Sequence, residues 1–348
     1  MIGAKRCMVA KAVRELASQG ALKRQQGNGT FVAGGVIQRR VTGTRTIGLI
    51  LPLIIQGETG ELIGKITPVR QAQPFTRTNI TIEIARGISS VFQEWGYRLV
   101  VHSNHTSADQ SSVLDNLANE SFDGVIAMPN GYEESARRFA ELKRVGMPIV
   151  FVDRYFRNVE IDSVVSDNFG GAMEGVRYLI SRGHHRIAYF TDFAEATSVE
   201  DREAGYRAAL EEAGIEYDEE IICGPSVVRR GNYSFAHALE HCLGSSEPVT
   251  AVFGMNDDMV LGAVQAAGKL GISIPESLEV AGFFDTPIPL GVEVSFTRLV
   301  QDKFKIGQLA ARLLLERMRG EGTPEPRHTL VPVEMITGES NLPSRTNA

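Results

Sequence analysis

Asn256 and Asp257 follow, after Gly254 and Met255, on an apolar run at residues 249–253. They open a stretch in which Val260, Leu261, Val264, Ala267 and Leu270 recur at helical spacing. A carboxylate accepts hydrogen bonds and a primary amide both donates and accepts, so the pair can take part in holding a small polar ligand. The same two side chains can instead cap the helix they begin, and the stretch alone does not separate the two uses. Gly271 stops the helix, and residues 278–283 form a second apolar strand. Parallel sheets bind ligands at the carboxyl ends of their strands, which is where this unit carries its polar groups. Asp153 and Arg154 stand in the same position behind the apolar strand 149–152.

Chemistry of other kinds finds little support. The sequence has no nucleophile elbow, no Walker motif, no GxGxxG turn and no metal-ligand cluster, and His184-His185 reads as a helix-to-strand connection. Neither enzyme activity, a metal nor a cofactor is expected. Cys7, Cys223 and Cys242 are odd in number and lack metal spacing, so they read as reduced thiols. No apolar run approaches the roughly 18 residues of a membrane span, and the basic N-terminus is not followed by the apolar core of a secretory signal. A cytoplasmic protein with no membrane partner is expected.

Charge divides the chain. Of its 348 residues, the first 45 hold nine Lys or Arg and one acid, Glu15, a net of +8; the whole chain carries −6, which leaves −14 on the remainder. A basic head on an acidic body suits a polyanion partner, although solvated basic tails are also common. In the head, Val9, Ala12, Val13 and Leu16 share one helical face and Gly20 ends the helix. Residues 22–25 and 30–33 are expected to pair as a hairpin about Gly27-Asn28-Gly29. A basic helix followed by a basic hairpin is the tail of a winged helix-turn-helix. Residues 34–45 read as a linker, and residues 341–348 as a tail.

The body, from Thr46, alternates strands and helices. Strands are expected at 47–51, 98–102, 124–128, 149–152, 186–190 and 221–222, with helices at 82–95, 135–144, 202–213 and 233–242, a helix from Asp167-Asn168 to about Ser181, and another containing residues 113–117. Such alternation predicts parallel sheets with right-handed crossovers. The pattern occurs twice, so the expected fold is α/β: two doubly wound parallel-sheet lobes with a cleft between them. The lobes are expected at about 46–154 with 298–322, and 155–297 with 323–340. Residues 53–78 show no clear element, and a loop of that length tends to be functional or disordered.

Two resemblances follow from these residues. The segment KRCMVAKAVRELASQGALKRQQGNGTFVA, residues 5–33, resembles the end of the GntR-type winged helix-turn-helix and covers about half of that domain. The resemblance implies a helix from about Arg6 to Gln19 in the major groove, with Arg6 on a base and Lys5, Lys11 and Arg14 on phosphates. It places the tip Gly27-Asn28-Gly29 near the minor groove. Lys5, Cys7, Met8 and Ala10 depart from the family pattern. With half the domain present, the face of Val9, Val13 and Leu16 lacks a local apolar partner. Weak DNA binding is therefore expected of this chain, and strong binding of an N-terminally extended one.

Across about residues 46–340, IGLILP, DGVIAMP, VFVDR, SDNFGGAMEGVRYLISRGHHRIAYF, REAGYRAAL, AVFGMNDDMVLGAV and PESLEVAGFFDT resemble, in order and spacing, the LacI/GalR effector-binding domain, a periplasmic-binding-protein-like fold. A GntR-type head on such a body is the arrangement of arabinose-repressor-like regulators. The resemblance implies an effector site at Asp153, Arg154, Arg202, Asn256, Asp257, Phe284 and Asp285, with Phe284 standing where the family often has an acid. A pair with Glu200 or Asp201 at the surface is the other use open to Arg202. The implied function is an effector-controlled transcriptional regulator, a repressor, that binds double-stranded operator DNA as a homodimer and takes a small effector, a sugar. A solute-binding receptor without DNA-binding activity is the alternative, since the body alone does not decide.

Overall fold

The protein is known here as a computed structural model, which describes residues 22–25, 29–32, 43–52, 75–103, 107–117, 121–130, 133–191, 196–224, 234–286 and 295–338. The helix expected at 6–19, with Lys5, Arg6, Lys11 and Arg14, lies outside the described residues. So do Gly27, Asn28 and most of the 53–78 stretch.

The described strands are β1 (Leu22–Gln25), β2 (Gly29–Val32), β3 (Thr46–Leu51), β4 (Arg98–Ser103), β5 (Gly124–Ala127), β6 (Ile149–Val152), β7 (Asp162–Ser166), β8 (Ile187–Phe190), β9 (Ile222–Cys223), β10 (Ala251–Gly254), β11 (Glu279–Phe283), β12 (Thr297–Gln301), β13 (His328–Val331) and β14 (Val333–Ile336). The helices are α1 (Phe75–Glu94), α2 (Ser107–Leu117), α3 (Glu133–Arg144), α4 (Asn168–Ser181), α5 (Thr197–Glu212), α6 (Phe235–Leu243), α7 (Asp257–Leu270) and α8 (Lys303–Met318). The hairpin β1–β2 forms in antiparallel register, Leu22 opposite Val32 and Gln25 opposite Gly29. Its second strand begins at Gly29, one residue earlier than the pattern suggests.

Two six-stranded sheets build the body. The first has the order β4-β3-β5-β6-β7-β13, all parallel. The second has the order β9-β8-β10-β11-β12-β14, parallel except for β14. Helices cover both faces of the first sheet, so its central strands are buried on both sides. Ile84, Ile88, Ile306 and Leu314 fill one side, and Leu114, Phe122, Phe139 and Phe151 the other. In the second lobe the core gathers around Tyr189, Tyr206 and Phe253, whose rings stack in parallel.

Several elements differ from the sequence pattern. Helix α1 starts at Phe75, so residues 75–78 are its first turn and not loop. Strands β7 and β12 carry polar residues at alternate positions or at both ends and escape a search for apolar runs. The stretch expected to return to the second lobe is split at Pro332, with β13 joining the first sheet and β14 the second. The lobes accordingly divide later than residue 154, since β7 belongs to the first sheet, and β12 belongs to the second.

The chain crosses between lobes three times, each time through one residue. Asp167 joins β7 to α4, Asp302 joins β12 to α8, and Pro332 joins β13 to β14. Asp167 accepts from Gly170 N at 2.8 Å and Asp302 accepts from Lys305 N at 2.8 Å, so each caps the helix it starts. The Asp167 backbone N–H donates to Val331 O at 2.8 Å, tying the first crossover to the third.

Candidate functional site: a polar network at the lobe junction

The polar groups lie at the carboxyl ends of strands, as parallel-sheet geometry requires. Asp153 follows β6, Ser166 ends β7, Asn256 and Asp257 follow β10, Asp285 follows β11 by one residue, and Gln301 ends β12. In each lobe the strand order reverses beside the lobe's first strand. For the second lobe this places Asn256 and Asp257 at the switch point between β8 and β10.

Lys303, the first residue of α8, sits between the lobes. Its Nζ lies 3.5 Å from Asp153 Oδ1 of the first lobe and 3.5 Å from Asp285 Oδ2 of the second, and its side chain is 5% exposed. Burial pushes the Asp153 carboxyl up, but Lys303, Arg154 and Arg202 outweigh it and hold the group below its ordinary value. Arg154 Nη2 contacts Asp153 Oδ2 at 3.2 Å. Asp153 has φ +68°, a left-handed conformation that Asp tolerates better than most residues and that recurs at functional strand ends.

Arg202 projects from α5 into the same junction and is buried. Its Nε donates to Asn168 Oδ1 at 2.8 Å, Nη1 to Met255 O at 2.6 Å and Nη2 to Gln301 Oε1 at 3.0 Å. The guanidinium lies 3.7 Å from the Phe283 ring centroid. Gln301 Oε1 also accepts from Ser166 Oγ at 2.8 Å, and Gln301 Nε2 donates to Asp285 Oδ2 at 2.7 Å. Two of the three crossovers are thereby joined through side chains. The surface pair considered for Arg202 belongs instead to Arg157, which contacts Glu200 at 3.1 Å and Asp201 at 2.6 Å across the lobes.

Asp257 Oδ1 accepts from the backbone N–H of Asp285 at 2.7 Å and of Thr286 at 3.1 Å. Burial and the neighbouring Asp285 charge push its carboxyl up to about 6. Asn256 caps α7, its Oδ1 accepting from Met259 N at 2.9 Å, so that acceptor serves the helix. Phe284 departs from the expected set: it is buried in the second-lobe core, edge-on to Phe296 at 5.1 Å.

The structure thus brings together Asp153, Arg154, Arg202, Asp257 and Asp285, uses Asn256 as a helix cap, and turns Phe284 inward. Lys303, Gln301, Asn168 and Ser166 belong to the same network and were not marked by the sequence. The run Gln301-Asp302-Lys303, polar between an apolar strand and an amphipathic helix, is the signal that could have found two of them.

Two parallel-sheet lobes, joined by three crossovers with charged groups converging between strand ends, define a two-lobed binding protein. A family model described as a periplasmic binding protein-like domain matches residues 176–341. Catabolite control protein A of Priestia megaterium is 30% identical over 244 residues, 69% of this chain and 71% of that protein. The HTH-type transcriptional repressor CytR of Escherichia coli strain K12 is 29% identical over 243 residues, 69% of each chain. Among solved structures, the transcriptional regulator CelR in complex with cellobiose superposes with a TM-score of 0.68 at 23% identity, covering 97% of this chain and 91% of that one. A regulatory protein of the LacI family from Chloroflexus aggregans superposes with a TM-score of 0.67 at 22% identity, covering 84% and 97%. The chain belongs to the LacI/GalR family of transcriptional regulators, and its two-lobed body is the effector-binding domain of that family. The relatives are regulators, not enzymes.

Proposed function

We propose that this regulator is a cytoplasmic repressor whose affinity for a double-stranded DNA operator is set by a small polyhydroxylated effector, a sugar, held between the lobes. The observation that carries the reading is the convergence of Asp153, Asp257, Asp285, Arg202 and Lys303 at strand ends of both lobes. Carboxylates accept from hydroxyls while Arg and Lys donate, and a site built to pair hydroxyls rejects ligands that lack them. CelR, solved with cellobiose, has the same fold. Operator contact falls to the basic head, with Arg6 on a base, Lys5, Lys11 and Arg14 on phosphates, and Gly27-Asn28-Gly29 at the tip of a wing whose strands β1 and β2 are formed.

The reading includes a homodimer. Strand β4 is the edge of the first sheet and exposes Val100 and Val101 at 38% and 44%, and Ile82 of α1 and Trp95 just beyond it are exposed at 40% and 49%. An edge strand with exposed apolar residues favours pairing with another chain.

The test is a panel of mono- and disaccharides, nucleosides and carboxylic acids screened by thermal shift, since a ligand of the folded state raises the melting temperature. A hydroxylated hit is expected. At pH 7, Asp257→Asn should weaken it by roughly 1.5–3 kcal/mol in calorimetry, the range for a hydrogen bond to a charged group. Stabilisation only by ligands without hydroxyls would remove the polyol reading. An operator footprint indifferent to the hit would remove the regulatory one.

A further inference from the structure

The second lobe holds a pair of thiols away from the lobe junction. Cys223 ends the two-residue edge strand β9, and Cys242 lies in the last turn of α6. Their Sγ atoms are 3.5 Å apart, within sulfur hydrogen-bond distance, and both side chains are buried. A disulfide needs an Sγ–Sγ distance of about 2.05 Å, so closing this pair calls for roughly 1.5 Å of approach, which side-chain rotation and a small helix shift can supply.

The two thiols are not equivalent. The hydrogen bond between the two sulfurs pulls the Cys242 thiol down; burial and the Asp218 charge oppose this, and Arg186, itself paired with Asp218, assists it. The same hydrogen bond and burial push the Cys223 thiol up. Two thiols at 3.5 Å have the geometry of an attacking and a resolving cysteine; both are buried, so the oxidant has to be small enough to reach them, and the lowered Cys242 thiol is assigned the attack.

We propose that Cys223 and Cys242 form a reversible disulfide driven by small hydroperoxides. The Cys242 thiolate attacks one peroxide oxygen and the O–O bond breaks. The departing hydroxide or alkoxide takes a proton, and Cys242 becomes a sulfenic acid. The Cys223 sulfur, giving up its proton, then attacks the sulfenic sulfur; the S–O bond breaks and water leaves. Two thiols lose two electrons and the peroxide gains two. A small dithiol reverses the bond by thiol–disulfide exchange.

The bond would tie β9 to α6. The α6 residue Phe235 packs so closely on α7 that a Cβ on Gly262 would lie 2.4 Å from its ring, and α7 begins at Asp257. Oxidation therefore acts on a helix pair that reaches the candidate effector site.

The experiment uses the full chain carrying Cys7→Ser, so that only this pair remains. The protein is treated with hydrogen peroxide, quenched, alkylated under denaturing conditions and digested. The expected product is a single cross-linked peptide pair joining Cys223 to Cys242, lighter by two hydrogens and restored by dithiothreitol. It should form faster in the folded protein than in the same chain in urea. In Cys223→Ser, Cys242 should accumulate as a sulfenic acid trapped by dimedone. Thiols that stay fully alkylatable, separate sulfinic acids, or a folded rate no faster than the urea rate would each overturn the proposal. The wild-type pair and the Cys7→Ser chain decide the matter even where Cys223→Ser does not fold.

Discussion

Asp257 is the residue where stability and use of the site pull apart. Its folded-state carboxyl titrates at about 6, against an ordinary 3.8, because it is buried beside Asp285. A raised carboxyl binds its proton more tightly in the folded chain than in the unfolded one. Stability from this group is thus full below about pH 3.8 and declines as pH rises towards 6. The decline amounts to about 3 kcal/mol. Asp257→Asn keeps an oxygen for the backbone N–H groups of Asp285 and Thr286 and never ionises. It should match the wild type at pH 4 and exceed it by up to about 3 kcal/mol at pH 7, while binding the effector less well. Urea denaturation at pH 4, 5, 6 and 7 checks this; wild-type and variant curves that run parallel would mean that Asp257 is ordinary. What was legible here was position. Asp153, Asp257 and Asp285 end apolar runs, and a sheet puts such residues at the ligand end. What was not legible was partnership. Arg202 meets Asn168, Met255 and Gln301 from 34, 53 and 99 residues away in the chain, and no local pattern encodes those distances.

At the scale of elements, the pair α1 and α8 shows where side-chain pattern ends and backbone contact begins. A Cβ on Gly307 would lie 2.1 Å from Ile84 O, and one on Gly87 would lie 2.1 Å from Phe304 O. The helices touch through their backbones, and glycine is required for closeness, not for φ. Gly307→Ala gains about 1 kcal/mol of helix propensity and forces the helices apart at a cost of roughly 1–3 kcal/mol. A net loss of stability is expected by chemical denaturation, and a gain would show that the crossing gives way freely. Ile306, Leu309, Ala310, Leu313 and Leu314 recur at helical spacing in the sequence and mark the buried face of α8, whereas its use of Gly307 leaves no such mark, since a helical glycine looks like a weakness until a partner helix is in place. The same reason explains β7 and β12. Asp162 takes Arg317 at 2.7 Å and Gln301 takes Ser166 and Arg202, so both strands carry polar residues that long-range partners satisfy.

For the whole molecule the question is what sets the angle between lobes. Three one-residue crossovers give little stiffness by themselves, so side-chain links decide. Arg157 with Glu200 and Asp201 is half exposed, and such pairs contribute about 0–1 kcal/mol. Lys303 is different: it is buried, and its one positive charge lies 3.5 Å from a carboxylate of each lobe. Lys303→Met fills similar volume and removes the cation that touches both carboxylates; Asp153 keeps Arg154 at 3.2 Å, while Asp285 loses its ion-pair partner. Removing one partner of a buried ion pair costs about 3–5 kcal/mol, mostly through the charge left behind. The closed arrangement can escape that cost by opening. The expected outcome is a larger radius of gyration by small-angle scattering, with each lobe's secondary structure intact by circular dichroism. Adding Asp153→Asn should reverse the opening, since it removes one of the two like charges and Asn tolerates the left-handed backbone at that position. Salt should do little, because the triad is shielded from solvent. If Lys303→Met leaves the radius unchanged, or if Asp153→Asn fails to restore it, Lys303 is a packing residue and the lobes are held by the Arg202–Gln301 network instead.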